Sequence, residues 1–259
     1  MVRMGLSSIG SKARRPQSPV ERVREDIESF IKRRELGPND RLPSERDYQD
    51  RMGVARGTVR EAMLQLEALG VIFRQERRGW FVSPERLDFD ITQPESFMDT
   101  VRKQNHIPRT ETLDKQLIKA DFETAPIFGV AVGAPLYSIL RRRYIDSMPM
   151  LLERIHVSPE TFPDIIDRNL DGSIRKIMRE DYAQIAEDSA VEMFPTALLS
   201  YDADWLNVSR GTPCLYVRRV ARNKDGQVIE FDKELWRNNA FRLTLARPGE
   251  PKISALSPT

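Results

Sequence analysis

The spacing of apolar and polar residues predicts an amphipathic helix near the start of the chain. Apolar residues recur at steps of three and four between Val20 and Ile31, which places them on one face of a helix. Gly37 and Pro38 then end the pattern. Residues 1–18 lack such periodicity and are rich in Ser, Gly, Pro and basic residues, so we expect a disordered basic arm there.

Two more helices and a hairpin follow this first helix. Ser44 is a suitable N-cap for a short helix, and Gly53 permits a tight turn at its end. The next helix spans about residues 55–69, with its apolar positions facing the core. Two β-rich runs, at 71–74 and 79–82, then predict a hairpin with a basic tip.

Positive charge is concentrated in this first part of the chain. Residues 1–86 hold 18 Lys and Arg against 13 Asp and Glu, a net charge of +5, whereas the remainder holds 23 against 26. Such asymmetry favours a polyanionic partner for the N-terminal part. We therefore interpret residues 19–83 as a DNA-binding domain and residues 84–95, which contain two prolines, as a linker.

The order helix, helix, tight turn, helix and basic hairpin is that of a winged helix-turn-helix domain. One helix of such a domain enters the major groove of DNA, while the hairpin reaches an adjacent groove or the backbone. The candidate contact residues offer guanidinium groups, hydroxyls and a close backbone approach. They are Ser44, Arg46, Arg56, Thr58, Arg60, Arg77, Arg78 and Gly79. Taken singly, each arginine could equally be a solvated surface residue.

Three motifs within this domain resemble the GntR family of bacterial repressors. They are Leu-Pro-Ser-Glu-Arg at 42–46, Val-Ala-Arg-Gly-Thr-Val-Arg at 54–60 and Leu-Gly-Val-Ile at 69–72. The chain departs from the family at Ala55, where Ser is common, and at 77–80, where Arg-Arg-Gly-Trp replaces Gly-x-Gly-Thr. Loss of a Ser N-cap costs the helix about 1 kcal/mol.

The rest of the chain predicts an α+β domain with an antiparallel sheet over residues 96–247, followed by a flexible tail at 248–259. Strand patterns fall at 112–120, 136–145, 150–156, 183–192, 215–221, 228–236 and 242–246. Helical patterns fall at 96–105, 173–180 and 196–206.

Short motifs in this second domain resemble the UTRA (UbiC transcription regulator-associated) domain of the HutC subfamily. They are Arg-Arg-Arg at 141–143, Pro-Met-Leu-Leu-Glu-Arg-Ile-His at 149–156, Leu-Asp-Gly-Ser at 170–173, Gly-Thr-Pro at 211–213 and Val-Ile-Glu-Phe at 228–231. The resemblance implies a chorismate lyase-like fold that binds a small effector and forms dimers.

Two arginines of the second domain indicate an anion site. Strand alternation places Arg141 and Arg143 on one face and Arg142 on the other. Guanidinium groups side by side repel each other, so Glu153 and Glu230 neutralise them, or a ligand phosphate or carboxylate does, or both. If the acidic neighbours alone pair with them, no ligand follows.

The family resemblance assigns effector contacts to matching positions, with basic and hydroxyl groups on phosphate and glutamates on polar ligand groups. These positions are Ser96, Arg141, Arg143, Glu153, Ser173, Arg175, Glu230 and Trp236. Ser173 begins a predicted helix, where it serves an anion site or acts only as an N-cap. Arg175 stands where sugar-phosphate-sensing relatives tend to have Tyr, which favours a smaller or more acidic ligand such as a phosphonate.

The composition argues against several other classes of protein. A single cysteine, Cys214, excludes an intramolecular disulfide framework, and two histidines leave little material for a zinc site. We expect no cofactor. The chain has no apolar run of about 18 residues and no signal-peptide core, so we expect a cytoplasmic protein without membrane contact.

The leading hypothesis is a repressor that binds a palindromic operator in double-stranded DNA as a homodimer and is released by a small anionic metabolite. One alternative is a DNA-binding protein whose second domain only dimerises. Another is a lyase-like enzyme, given the relation to chorismate lyase, although Cys214 and the histidines form no nucleophile motif.

Overall fold

The computed structural model describes residues 17–75, 78–90 and 96–244. Most of the predicted basic arm and the whole of the predicted tail lie outside these residues, as does Arg77. Within the described chain, every helix is too short or too polar to cross a lipid bilayer.

The N-terminal domain is a winged helix-turn-helix, close to the predicted ranges. Its elements are α1 (Pro19–Arg33), α2 (Glu45–Met52), α3 (Arg56–Ala68), β1 (Ile72–Gln75) and β2 (Gly79–Val82). The apolar faces of the three helices meet the hairpin in one core that includes Val23, Ile27, Tyr48, Val59, Met63, Leu66 and Trp80. This core fixes α3 relative to the hairpin, the two elements predicted to contact DNA.

Side-chain caps determine where two of the helices begin. Ser18 and Glu21 bond reciprocally at the start of α1, and Ser44 and Asp47 do the same at the start of α2. These capping boxes satisfy backbone N–H groups that have no partner within the helix. Ala55 occupies the N-cap of α3 without a side-chain hydrogen bond, so α3 lacks the stabilisation that a serine gives there.

The segment predicted as a linker contains a strand. In the structure β3 (Leu87–Asp90) pairs in parallel with β10 (Phe241–Thr244) near the end of the chain. Parallel strands pair residues that are distant in sequence, so no local turn signal in the sequence predicts this pairing. The segment is therefore anchored to the second domain.

The second domain is built on a six-stranded antiparallel sheet in the order β4, β5, β6, β9, β8, β7. The strands are β4 (Pro108–Lys119), β5 (Pro135–Ile145), β6 (Met148–Val157), β7 (Glu187–Ala197), β8 (Pro213–Arg222) and β9 (Val228–Arg237). Its helices are α4 (Phe97–Lys103), α5 (Thr124–Phe128), α6 (Ile174–Tyr182) and α7 (Ser200–Trp205), with a 3-10 turn at Ile165–Asp167. The α+β class with an antiparallel sheet is confirmed.

Several predicted boundaries in this domain were wrong. Strand β7 begins four residues later than predicted, because Ala183 ends α6 in the left-handed conformation, with φ 53°. The helix predicted from residue 196 starts at Ser200, since β7 continues to Ala197. Helix α5 was missed, because a helix of five residues leaves almost no periodic signal.

The hairpin of the first domain packs against the second domain. Phe73 of β1 and Phe81 of β2 stack with ring centroids 5.6 Å apart. Both join a cluster of buried residues from the second domain that includes Val101, Met150 and Trp236. Because alternate hairpin residues face the two cores, movement of the hairpin is coupled to packing in the second domain.

Candidate DNA-binding surface and effector cavity

The start of α3 carries the predicted DNA contacts. The Arg56 side chain is 75% exposed, and its Nε donates to Glu45 Oε2 at 3.3 Å. Arg60 is exposed one turn later, and its side chain has no ion pair or hydrogen bond within the described part of the chain. Thr58 is half-buried. Arg60 is thus the residue of this set best placed to meet DNA without first losing an intramolecular partner.

Glu45, which the sequence analysis did not single out, links α3 to the hairpin. Its Oε1 accepts from Trp80 Nε1 at 3.3 Å while its Oε2 accepts from Arg56. Trp80 stands where the resemblance to the GntR family implies a threonine, and its buried indole ties β2 to the start of α2. The altered hairpin therefore has its own structural support.

The other predicted DNA contacts have mixed surroundings. The Ser44 hydroxyl is engaged with Asp47 in the capping box, so its first role is to begin α2. The Arg46 side chain is 87% exposed, 3.9 Å from Asp50. Arg78 is exposed, and its guanidinium lies over the Phe81 ring, 5.6 Å from the centroid. Gly79 adopts a positive φ of 104°, which favours glycine at the hairpin.

A cavity of about 70 Å³ lies on one face of the sheet, beneath α4 and α6. All eight residues predicted to contact an effector line it: Ser96, Arg141, Arg143, Glu153, Ser173, Arg175, Glu230 and Trp236. The structure adds Phe89, Phe97, Leu151, Ile155, Ile174, Arg219, Asp232 and Glu234. Strand alternation brings these side chains to one face, because Arg141 pairs in register with Glu153 and Glu153 with Glu234.

Two arginines of the cavity share a single carboxylate. Glu153 Oε1 accepts from Arg141 Nε at 2.5 Å and from Arg143 Nε at 2.7 Å. Arg141 Nη1 also donates to the backbone carbonyls of Leu170 and Gly172, both at 3.0 Å, just before α6. This buried group of three charged residues carries a net charge of +1.

The two arginines differ in how much of the guanidinium is already used. Arg141 is fully buried and braces the loop before α6. The guanidinium of Arg143, which is 8% exposed, has Glu153 and the Phe97 ring as its partners, the latter 4.9 Å away. Arg142 points to the opposite face, as predicted, and donates to Glu111 Oε2 at 2.8 Å.

A second set of ion pairs lies at the β9 end of the cavity. Arg175 Nε donates to Glu230 Oε2 at 2.7 Å, and Arg219 Nη2 lies 3.2 Å from Glu234 Oε1. Trp236 Nε1 donates to Glu234 Oε2 at 2.6 Å. The expectation that Glu230 neutralises Arg141 and Arg143 was wrong, because Glu230 pairs with Arg175 of α6 instead.

Buried carboxyl groups of the cavity have opposite pKa shifts. Burial raises the pKa of Glu153, but the charges of Arg141 and Arg143 outweigh it, so that the pKa is lowered overall. Burial raises the pKa of Asp232 well above its ordinary value, and the like charges of Glu230 and Glu234 raise it further. Glu153 is therefore a carboxylate at neutral pH, whereas Asp232 is biased towards the protonated form.

Asp232, Glu234 and Arg219 were missed by the sequence analysis although a signal existed. Residues 230, 232, 234 and 236 alternate along β9 and so share a face; extending the prediction for Glu230 and Trp236 inward gives Asp232 and Glu234. Arg219 follows only from the pairing register, which places it opposite Asp232, and the register is not apparent from local sequence.

The two serines that line the cavity are also N-caps. Ser96 Oγ accepts from the Asp99 backbone at the start of α4, and Ser173 Oγ accepts from the Lys176 backbone at the start of α6. Ser173 therefore acts as an N-cap and lies beside the cavity, so the two predicted roles are compatible. Among the described residues no group of three His, Cys, Asp or Glu side chains is arranged to hold a metal ion.

Comparisons with known families match both domains. The family "Bacterial regulatory proteins, gntR family" matches residues 19–82, and the UTRA domain matches residues 103–242, which is more than half of the chain. Among curated proteins, the chain is 29% identical over 229 residues to the HTH-type transcriptional repressor NagR of Bacillus subtilis, covering 87% of this chain and 94% of NagR.

Further relatives agree with this assignment. The chain is 28% identical over 227 residues to MngR of Escherichia coli, named as the mannosyl-D-glycerate transport/metabolism system repressor, covering 87% of this chain and 92% of MngR. Among solved structures, PhnF from Mycobacterium smegmatis matches with a TM-score of 0.59 at 21% identity, covering 88% of this chain and all of PhnF. That likeness shows the fold alone. The chain thus belongs to the GntR family of bacterial regulatory proteins, in its UTRA-containing HutC subfamily, and is a DNA-binding transcriptional repressor rather than an enzyme.

Proposed function

We propose that this repressor is released from its operator by a small anion that binds in the cavity. Residues 19–83 form the DNA-binding part, and residues 96–247 form the sensing and dimerisation part. The observation that carries the proposal is the sharing of Glu153 by two buried arginines, Arg141 and Arg143. An uncompensated buried positive charge is costly, so a phosphate, phosphonate or carboxylate that approaches Arg143 gains a strong partner.

The size of the cavity supports a ligand-induced change. A cavity of about 70 Å³ has room for a few water molecules, whereas sites for small molecules usually have several hundred Å³. An effector that needs more than this volume moves the lining elements apart. A ligand that favours the open arrangement shifts the population towards it, by as much as its affinities for the two arrangements differ.

The end of β9 offers a route from the cavity to DNA. Trp236 lines the cavity, and two residues later Asn238 Nδ2 donates to the backbone carbonyls of Glu67 and Ala68, both at 2.9 Å, at the last turn of α3. A shift of β9 on ligand binding therefore changes the position of the helix that reads the operator. Coupling of about 1 to 3 kcal/mol is typical of such linked sites.

A second contact region supports the same route. Arg86 Nη2 donates to the Leu69 carbonyl at 2.7 Å, and Asn239 Nδ2 donates to Ser83 Oγ at 3.2 Å. Gly70 has a positive φ of 72°, and a Cβ there would lie 2.6 Å from Arg86 Nη2. The end of α3 is thus held by side chains from both sides of the domain junction.

The exposed edge of the sheet supports a homodimer. Strand β7 lies at one edge, and all its described side chains are exposed except Met193, which is half-buried. Val191 and Phe194 are among the exposed residues. A long exposed edge strand with apolar side chains is a template for pairing with another chain. A second copy on this edge gives the two-fold symmetry that a palindromic operator requires.

Thermal unfolding tests the anion site directly. We expect one or more members of a panel of phosphate esters, phosphonates and carboxylates to raise the unfolding midpoint, because ligand at 100 times its Kd adds about 2.7 kcal/mol. Arg143→Ala abolishes the rise. Arg102→Ala, which removes an exposed arginine of α4 outside the cavity lining, preserves it. The absence of a midpoint shift with every anion contradicts the proposal.

A further inference from the structure

One buried carboxyl group of the cavity has no ion-pair partner among the described residues. Asp232 lies in the middle of β9 and is 5% exposed. Its Oδ1 has no hydrogen-bond partner among the described residues, and no ion pair joins it to a described arginine or lysine. Its neighbours on the same strand face differ in this respect, because Glu230 pairs with Arg175 and Glu234 with Arg219.

The charged groups around Asp232 come from five elements. Glu230 and Glu234 flank it on β9, and Arg219 stands opposite it on β8. Glu153 of β6 and Arg175 of α6 also affect its ionisation, and Arg141 of β5 interacts with its charge. The arginines of β8 and α6 already pair with Glu230 and Glu234, so this end of the cavity has one carboxyl group more than it has arginines.

The β5 end of the cavity has an excess positive charge. At β5, Arg141 and Arg143 share Glu153, which leaves one positive charge in excess. Asp232 lies opposite Ile155 of β6, two residues along that strand from Glu153, the carboxylate that Arg143 contacts. The charge of Glu153 also acts on Asp232. The cavity therefore offers an excess positive charge beside Glu153 and a carboxyl group close to it, within reach of one small molecule.

We propose that Asp232 binds a protonated amino group of the effector, so that the effector is a small amine-bearing anion. This inference rests on the proposed anion site at Arg143. An ammonium group supplies both hydrogen-bond donors and a compensating charge, whereas a hydroxyl group supplies only a donor. The ligand anion meets the excess positive charge at β5, and its ammonium group meets the excess carboxyl at β9.

Binding of the amine changes the protonation of Asp232. In the empty cavity, burial and the neighbouring glutamates raise the pKa of Asp232 and favour the neutral carboxyl. When the ammonium group arrives, the carboxyl releases its proton to solvent and the complex contains an ammonium–carboxylate pair. Binding therefore releases a proton from Asp232, in addition to the protons that a phosphonate monoanion loses when it meets the arginines.

Matched pairs of probes test this inference by titration calorimetry at pH 7. The first set is 2-aminoethylphosphonate against ethylphosphonate and 2-hydroxyethylphosphonate; the second is β-alanine against propionate. We expect the amine-bearing probe of at least one set to bind at least tenfold more tightly than its amine-free partners. Titrations in two buffers of different ionisation enthalpy should show net proton release for that probe.

Asp232→Asn keeps the side-chain shape and removes the charge. We expect this variant to bind the amine-bearing and amine-free probes within threefold of each other, and to bind the amine-free probes as the natural protein does. Asp202→Asn is the matched control, because burial also raises the pKa of Asp202, which lies outside the cavity lining. It should retain the tenfold preference.

The remaining outcomes each overturn a defined part of the account. If the natural protein shows no preference for the amine or no proton release, or if Asp232→Asn keeps the preference, the role of Asp232 is wrong while the anion site stands. The proton count for β-alanine and propionate needs no variant, because both carboxylates are already ionised at pH 7, so it decides the matter even if Asp232→Asn does not fold. If no probe of either set binds while another anion of the panel raises the unfolding midpoint, the inference is overturned and the anion site stands; if no anion binds, both are overturned.

Discussion

Replacement of Glu153 with alanine should lower the free energy of unfolding by about 3 to 5 kcal/mol, because it leaves two buried arginines without a counter-ion. Glu153 is 4% exposed and accepts from both Arg141 and Arg143. A buried guanidinium cannot discharge at neutral pH, so the destabilisation is not relieved by loss of a proton. Urea unfolding at pH 7 measures the effect.

Glu111→Ala is the matched control for this prediction. Glu111 accepts from Arg142 at 2.8 Å on the opposite face of β5, but its side chain is 40% exposed. An ion pair in contact with water contributes at most about 1 kcal/mol. Equal losses of stability in the two variants would contradict the conclusion that Glu153 compensates the charges of two buried arginines.

The pH dependence of stability provides a second readout of the Glu153 cluster. The folded-state pKa of Glu153 lies below its ordinary value, so its contribution to stability is present above the unfolded-state pKa and is lost as the pH falls through the folded-state pKa. Glu153→Ala should therefore flatten the acid side of the stability profile. An unchanged acid limb would contradict the direction of the shift.

Arg60→Ala should weaken operator binding by about 10-fold to 100-fold, since one arginine contact to a base edge contributes about 1 to 3 kcal/mol. Arg60 is exposed on the second turn of α3, directly after the stretch anchored through Glu45. Fluorescence anisotropy measures the affinity for an operator selected in vitro with the natural protein. The loss should exceed that on unrelated DNA of the same length.

Arg210→Ala is the control for DNA binding, because its side chain is 69% exposed and pairs with Asp204 in the second domain. It should leave operator affinity unchanged within twofold. The same titration gives the number of chains on each operator, for which the proposed dimer predicts two. An equal loss for Arg60→Ala on operator and unrelated DNA would make Arg60 a phosphate contact that does not read sequence.

The sequence predicted the members of the cavity better than their pairing. Period-two alternation places Arg141 and Arg143 on one face whatever their neighbours are. Which carboxylate each arginine meets depends on strand register and on α6, and these are set by long-range packing. Arg175 donates to Glu230, and no local pattern in the sequence indicates this pairing. That Asp232 has no ion-pair partner among the described residues can be seen only after the neighbouring side chains have been placed.

The junction between the domains was also beyond sequence reasoning. Residues 84–95 lack a clear hydrophobic period, and for that reason they were predicted to form a linker. In the structure, however, β3 within this segment pairs with β10 from the other end of the chain. The contacts of Asn238 with the end of α3 join residues 170 or more positions apart. Only the folded chain brings the cavity and the recognition helix into one connected structure.

The central claim is that occupation of the cavity changes operator binding, and the most direct measurement is operator affinity with and without the anion that most strongly stabilises the protein. With that anion at 100 times its Kd, we predict operator affinity to fall about 10-fold to 100-fold, as a coupling of 1 to 3 kcal/mol requires, and Asn238→Ala to reduce this change while anion binding persists. Operator affinity that is unchanged or tighter, with the anion demonstrably bound, would contradict the account.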